Sequence, residues 1–119
     1  MIQYDHPIKI YYKDVDKMGI VYYSRYYEYF EEARTELLAS IGLDVMEVEK
    51  RGITLPVISS HCDYKRGAKF EQNILVEASI ASKPKSKLHI DYLCLLRMKK
   101  ILLLVVTQNM HLSITEDRQ

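Results

Sequence analysis

The chain has 119 residues, 48% of them hydrophobic and 28% charged, with a formal net charge of +1. One globular domain over residues 1–119 fits that length and composition. The low hydrophobicity and high net charge of a disordered chain are missing, as is the basic excess of a nucleic-acid binder. The longest apolar run, 101–106, has six residues, against about twenty for a membrane span, so no membrane insertion is expected. Cys62 and Cys94 follow an N-terminus with no apolar leader segment. Reduced thiols in a cytoplasmic protein are the expectation. A domain of this size buries only about two-thirds of its unfolded surface. A site shared between copies of a homo-oligomer, dimer or tetramer, is therefore expected of any enzyme built on it.

In chain order, 7–12 alternates and predicts a strand. The segment 14–19 reads as a loop. A long helix follows over 25–41, with Ser24 as its N-cap and Gly42 as the terminating glycine. Tyr23, Tyr26, Tyr27, Phe30, Leu37, Leu38 and Ile41 form its apolar face, and Glu28, Glu31, Glu32 and Glu36 its polar one. A shorter helical segment covers 43–50. Then come an extended stretch over 53–64, bent at Pro56, and strands over 73–82, 88–98 and 101–114. Turns are expected at 83–86 and at Lys99-Lys100. Strands following helices indicate an α+β fold with an antiparallel sheet, which can curl around the long helix.

The segment richest in chemistry is 12–26. Asp14 and Asp16 stand two apart in a loop just before a helix, and Gly19 lets the backbone approach a ligand closely. A helix start offers free N–H groups and a positive dipole end, suited to an anion or an oxyanion. Spacing alone equally allows both aspartates to be turn and capping residues. Six of the twelve aromatic residues fall in 22–30. Such a cluster serves a core, an interface or a substrate pocket.

The pattern Asp-x-Asp-x-x-Gly-x-Val-x-x-x-x-Tyr, carried by Asp14, Asp16, Gly19, Val21 and Tyr26, precedes Phe30-Glu31-x-Ala33-Arg34. It resembles the hotdog-fold acyl-CoA thioesterases of the YbgC and 4-hydroxybenzoyl-CoA thioesterase type. Tyr64, Ala68 and Phe70 match a second, weaker motif. The resemblance implies a hotdog, an antiparallel β-sheet wrapped around a long central helix. It also implies hydrolysis of an acyl-CoA to acid and CoA with no cofactor or metal. Asp16 would be the catalytic carboxylate, either attacking the thioester carbonyl or activating water. Gly19, Val21, Tyr22, Tyr23 and Tyr26 would bind substrate, with backbone N–H groups near Tyr22 and Tyr23 holding the oxyanion. YbgC-type relatives often carry His where this chain has Tyr23, which leaves non-catalytic acyl-CoA or acyl-carrier binding as the alternative. Glu71-Gln72 and Thr107-Gln108-Asn109 also depart from the usual pattern.

Other candidates are weaker. His61 with Asp63, and His89 with Asp91, share strand faces and read as polar pairs rather than metal ligands. His111 reads as a core or interface packing residue, with approach to a bound ligand as the alternative. Glu31 is the fallback carboxylate, and it is expected to pair with Arg34. Lys65, Arg66, Lys69, Lys83, Lys85 and Lys87 form a basic neighbourhood, either solvated or in contact with CoA phosphates.

Overall fold

A computed structural model describes residues 1–81, 86–98, 100–111 and 113–114. The first strand, β1, is Ile2–Lys9, and a 3-10 turn at Tyr12–Asp14 follows it. Helices α1 (Tyr23–Ser40) and α2 (Val45–Lys50) come next. The remaining strands are β2 (Ile53–Thr54), β3 (Val57–Tyr64), β4 (Asn73–Ile80), β5 (Lys87–Leu96), β6 (Leu102–His111) and β7 (Ser113–Ile114). An antiparallel five-stranded sheet runs β1-β4-β5-β6-β3, and β2 pairs with β7 in a separate ribbon.

Period-two patterning builds the central strands. Ile74, Val76, Ala78 and Ile80 on β4 are buried on one face, as are Leu88, Ile90, Tyr92 and Cys94 on β5 and Leu104, Val106 and Met110 on β6. Against that face lies α1, burying Tyr26, Tyr29, Phe30, Ala33, Leu37 and Leu38. The Phe30 and Tyr92 rings sit 5.1 Å apart at the helix–sheet contact. This is the expected hotdog arrangement. The strand expected over 53–64 is split at Leu55-Pro56 into β2 and β3. The turn expected at 83–86 falls largely outside the described residues, as does Lys99.

Several local expectations are corrected. The first strand starts at Ile2, not at residue 7, and Pro7 is tolerated within it because β1 is a sheet edge. Its last expected residue, Tyr12, instead enters the 3-10 turn. Helix α1 begins two residues early, with Tyr22 rather than Ser24 at the N-cap and no side-chain cap. Backbone anchoring replaces that cap, since Val21 N donates to Ala68 O at 3.0 Å and Tyr22 N to Asp14 O at 3.2 Å. Tyr23 and Tyr27 lie outside the buried face, at 73% and 43% exposure, and Tyr29 and Ala33 take their place. At the far end Gly42 adopts φ 83°. Leu43 N donates to Leu38 O and Gly42 N to Ala39 O, closing a Schellman motif.

Candidate active site

Residues 14–22 form a small antiparallel hairpin that runs directly into α1. Val15 bridges Val21, Asp16 N donates to Ile20 O at 2.9 Å, and Tyr22 N donates to Asp14 O. Asp16 is half-buried near the closed end. Its Oδ1 accepts from the N–H groups of Met18 (2.8 Å) and Ile20 (3.2 Å). This local turn leaves Oδ2 without a hydrogen bond to any described residue. Gly19, at φ 76°, supplies the left-handed residue that closes the turn. Two residues separate Asp16 from the rung that joins Asp14 to the N-cap, about 7 Å along the hairpin.

The start of α1 is open. The first two helical amides, Tyr23 and Ser24, donate to no acceptor among the described residues, whereas Arg25 N donates to Tyr22 O at 3.0 Å. No acidic residue stands in the first turn, so the positive end of the dipole meets no acidic side chain of that turn. Tyr22 N is occupied by Asp14 O, so of the backbone amides expected to be open near Tyr22 and Tyr23, those without an acceptor among the described residues are Tyr23 and its neighbour Ser24.

The expected substrate-binding side chains divide by burial. Val21 and Tyr26 are buried, at 3% and 1% exposure. The Tyr26 hydroxyl accepts from Ala68 N at 2.8 Å, and burial pushes its pKa up to about 12. Tyr26 thus ties the helix to the loop between β3 and β4. Tyr22 and Tyr23 are exposed, and the Tyr23 ring stacks 5.0 Å from Tyr64.

The second motif closes on the first. Tyr64 packs on Tyr23 and Tyr26, Ala68 bonds both Val21 and Tyr26, and Phe70 N donates to Gly19 O at 3.2 Å. Ile20 also bridges Lys69. A Cβ on Gly67 would stand 2.7 Å from Ile20 Cγ2, so glycine there permits close approach of the two loops.

Asp14 is more than the turn residue its spacing suggests. It is 2% exposed. Its Oδ2 accepts from Tyr11 N at 3.0 Å and its Oδ1 from Lys13 Nζ at 2.9 Å, while Arg25 Nε stands 3.9 Å away. Burial alone would raise its pKa, but the Lys13 and Tyr11 hydrogen bonds and the Lys13 and Arg25 charges together hold it below the ordinary value. The Tyr29 hydroxyl is buried beside Asp14 without a hydrogen bond of acceptable geometry. Burial first, and then the Asp14 charge, push the Tyr29 pKa upward. The adjacent Lys13 was the one signal in sequence, since Arg25 lies eleven residues away and reaches Asp14 only through the fold.

Elsewhere, Arg34 does not pair with Glu31. It donates to Gln108 Oε1 at 3.2 Å, which also accepts from the Tyr92 hydroxyl at 2.7 Å. A buried acceptor holds the guanidinium more firmly than an exposed carboxylate can. Glu31 is exposed, beside a hollow of about 260 Å³ also lined by Leu38, Leu43 and Met110. The His61–Asp63 and His89–Asp91 pairs are exposed, with imidazole-to-carboxylate distances of 3.3 and 3.0 Å. His111 is exposed rather than in the core, at the end of β6 with its backbone N–H on Pro56 O. Lys65, Arg66, Lys69 and Lys87 are exposed; Lys83 and Lys85 lie outside the described residues. Both cysteines are free. Their strands β3 and β5 flank β6, which separates them by about 10 Å, beyond disulfide reach. Among the described residues no helix is long and apolar enough to cross a membrane.

Residues 11–117 match the model of the thioesterase-like superfamily. Acyl-CoA thioesterase YbgC of Haemophilus influenzae is 32% identical over 79 residues, covering 66% of this chain and 58% of that protein. This chain spans about half the length of the curated relatives it matches. Slr0204, a 1,4-dihydroxy-2-naphthoyl-CoA thioesterase from Synechocystis, superposes with a TM-score of 0.86 at 20% identity, over 98% of this chain and 86% of that one. A 4-hydroxybenzoyl-CoA thioesterase complexed with 4-hydroxybenzoyl-CoA superposes with a TM-score of 0.86 at 16% identity, over 100% and 89% of the two chains. With its antiparallel sheet around one long helix and its family match over nearly the whole chain, the protein belongs to the thioesterase-like superfamily and has the hotdog fold.

Proposed function

We propose that the protein hydrolyses an acyl-CoA thioester to the free acid and CoA, with Asp16 as the catalytic carboxylate. The observation that carries this reading is the half-buried Asp16, one oxygen of which is held by two backbone amides, on a hairpin fused to a helix whose first amides are free. The other oxygen attacks the thioester carbonyl carbon, or takes a proton from a water that does. Negative charge then builds on the carbonyl oxygen, where the Tyr23 and Ser24 amides and the helix dipole stabilise it. Collapse of the intermediate breaks the C–S bond and expels the CoA thiolate, which takes up a proton; where water attacks, the free acid is already formed, and where Asp16 attacks, a water then cleaves the acyl–Asp16 anhydride to the acid and the free carboxylate. The reacting Asp16 oxygen has lost orientational freedom in advance, because the Met18 and Ile20 amides fix the carboxylate's orientation.

The substrate surface is shared with a second copy of the chain. Edge strand β3 leaves Val57 and Ile58 exposed at 46% and 62%. Unpaired strand edges with exposed apolar side chains favour association, and the exposed Tyr22, Tyr23 and Tyr64 continue that patch toward the helix start. Lys65, Arg66 and Lys69 supply cations for the CoA phosphates. The cytoplasm, with its reducing thiol balance, suits the two free cysteines.

A panel of short, branched and aromatic acyl-CoAs, followed by thiol release, tests the reading. Wild type should hydrolyse at least one member, and Asp16→Asn should lose on the order of a hundredfold or more in kcat. The Asn side-chain oxygen can still accept from Met18 and Ile20, so melting should change little. Full activity in Asp16→Asn would overturn its role. The exposed Tyr23, standing where relatives often have His, motivates a second reading as an acyl-CoA or acyl-carrier binding protein. Binding without thiol release from any member would favour that alternative.

A further inference from the structure

We propose that Asp14 is the positioning residue for Asp16, a buried anchor that sets the hairpin carrying Asp16 against the start of α1. The inference rests on Asp16 as the reacting carboxylate. Among the described residues Asp14 is the only buried acidic side chain, and its groups reach three segments at once. Its carboxylate takes the Tyr11 amide at the end of the 3-10 turn's approach and the Lys13 ammonium within it. Its backbone N–H donates to Tyr11 O at 2.9 Å, so Tyr11 and Asp14 are locked reciprocally. Its backbone oxygen takes the Tyr22 amide, which is the N-cap of α1. Arg25, in the first turn of α1, adds a charge 3.9 Å from the same carboxylate and donates to Lys13 O at 3.4 Å.

A cation in the first turn of a helix opposes the dipole. Arg25 is nevertheless held there, by Glu28 at 3.1 Å and by the Asp14–Lys13 corner. The arrangement joins the hairpin base to the helix by charge as well as by the Asp14–Tyr22 rung. Asp16 sits one rung further along the same hairpin, paired with Ile20. A shift at Asp14 is therefore passed to Asp16 through a two-residue lever, with Val15 bridged to Val21 between them. No contact with substrate is required of Asp14, which is almost fully enclosed.

Asp14→Asn keeps the volume and removes the charge. In that variant, exchange of the Met18 and Ile20 amides, which donate to Asp16, should quicken on the order of tenfold while amides of β4 and β5 keep their protection. Hydrolysis should fall in kcat by on the order of 10–100-fold, with KM changed by less than about twofold, the signature of a misplaced reacting group. In the Asp16→Asn background the same substitution should lower residual hydrolysis by less than about twofold, because residues acting as a unit are not additive. Lys13→Met, which removes an exposed partner of Asp14, should move both readouts in the same direction by less and serves if Asp14→Asn does not fold. Unchanged exchange and kcat, or an equal loss with and without Asp16, would overturn the assignment. If wild type released no thiol from any acyl-CoA, the proposed activity would fail, while the exchange measurement would still decide whether Asp14 holds the Asp16 turn.

Discussion

The two ends of α1 are finished in opposite ways. At the C-terminal end Gly42 closes a Schellman motif, Ser40 Oγ donates to Leu37 O at 2.6 Å, and Arg34 is drawn inward to Gln108. At the N-terminal end no side chain caps the helix, two amides are left open, and Tyr22 and Tyr23 stand exposed beside a half-buried carboxylate. A bare N-terminus forgoes about 1 kcal/mol of capping. The chain nevertheless ties the loop that leads into that bare end to 68–72 by backbone bonds at Ile10, Gly19 and Val21. Rigid support around an unsatisfied end is the arrangement expected of a site that must receive developing negative charge. On the proposed reading the closed end serves stability alone, so equal perturbations at the two ends should separate the two roles.

The largest separation is expected from hydroxyl deletions. Tyr26→Phe leaves the Ala68 N–H without its acceptor in the core, costing about 1–3 kcal/mol, and it loosens the clamp on Val21. Its counterpart, Ser40→Ala, removes a hydrogen bond at the solvent end of the helix and should cost no more than about 1 kcal/mol. Urea unfolding gives both stabilities, and thiol release shows whether kcat falls for Tyr26→Phe alone. Equal destabilisation, or equal kcat, would remove the distinction between the ends.

A stricter comparison uses two glycines. Gly19 and Gly42 adopt φ 76° and 83°, and an added Cβ at either meets nothing within 4 Å. Alanine should therefore cost each the same left-handed strain, roughly 1–2 kcal/mol. Only Gly19→Ala should also lower kcat, because Gly19 closes the turn that holds Asp16 and accepts the Phe70 amide. Matched melting temperatures with a kcat loss confined to Gly19→Ala is the expected result. A kcat loss of similar size in Gly42→Ala would mean that hydrolysis tracks global stability.

The same contrast explains what could be read in advance. Strand β4 and the first half of β5 were legible because their apolar residues alternate and face one core, and β6 because a short continuous apolar run opens it. Gly42 was legible because a glycine after the last apolar helix position has one stereochemical use. The inward face of the first half of α1 was not. With Tyr at 22, 23, 26, 27 and 29, the segment is apolar nearly all round, and periodicity cannot orient it. Only packing chooses Tyr29 over Tyr23 and Tyr27. The Ser24 cap failed for a related reason, since the hairpin rung from Tyr22 to Asp14 starts the helix before Ser24 can serve. Asp14 and Asp16 look alike in sequence. What separates them, burial against Lys13 and Arg25 for one and a local amide turn for the other, is set by residues brought together in three dimensions.

The smallest effect is also the most pointed, because it reverses sign. Tyr22 has the extended backbone of an N-cap residue, φ −63° and ψ 145°, but a side chain that caps nothing. Its ring is 51% exposed, so its replacement loses little packing. Serine at that position can accept from the amide of Ser24 or Arg25, the second and third helical residues. Tyr22→Ser should therefore stabilise the fold by about 0.5–1 kcal/mol. It should at the same time lower kcat, since the new hydroxyl competes for an amide and its oxygen repels the charge that builds on the substrate. A higher melting temperature with slower thiol release would show that the open helix end is kept for chemistry at the expense of stability. A higher melting temperature with unchanged hydrolysis would move the oxyanion site away from this end, and the bare N-cap would then have no role that the closed C-terminal end lacks.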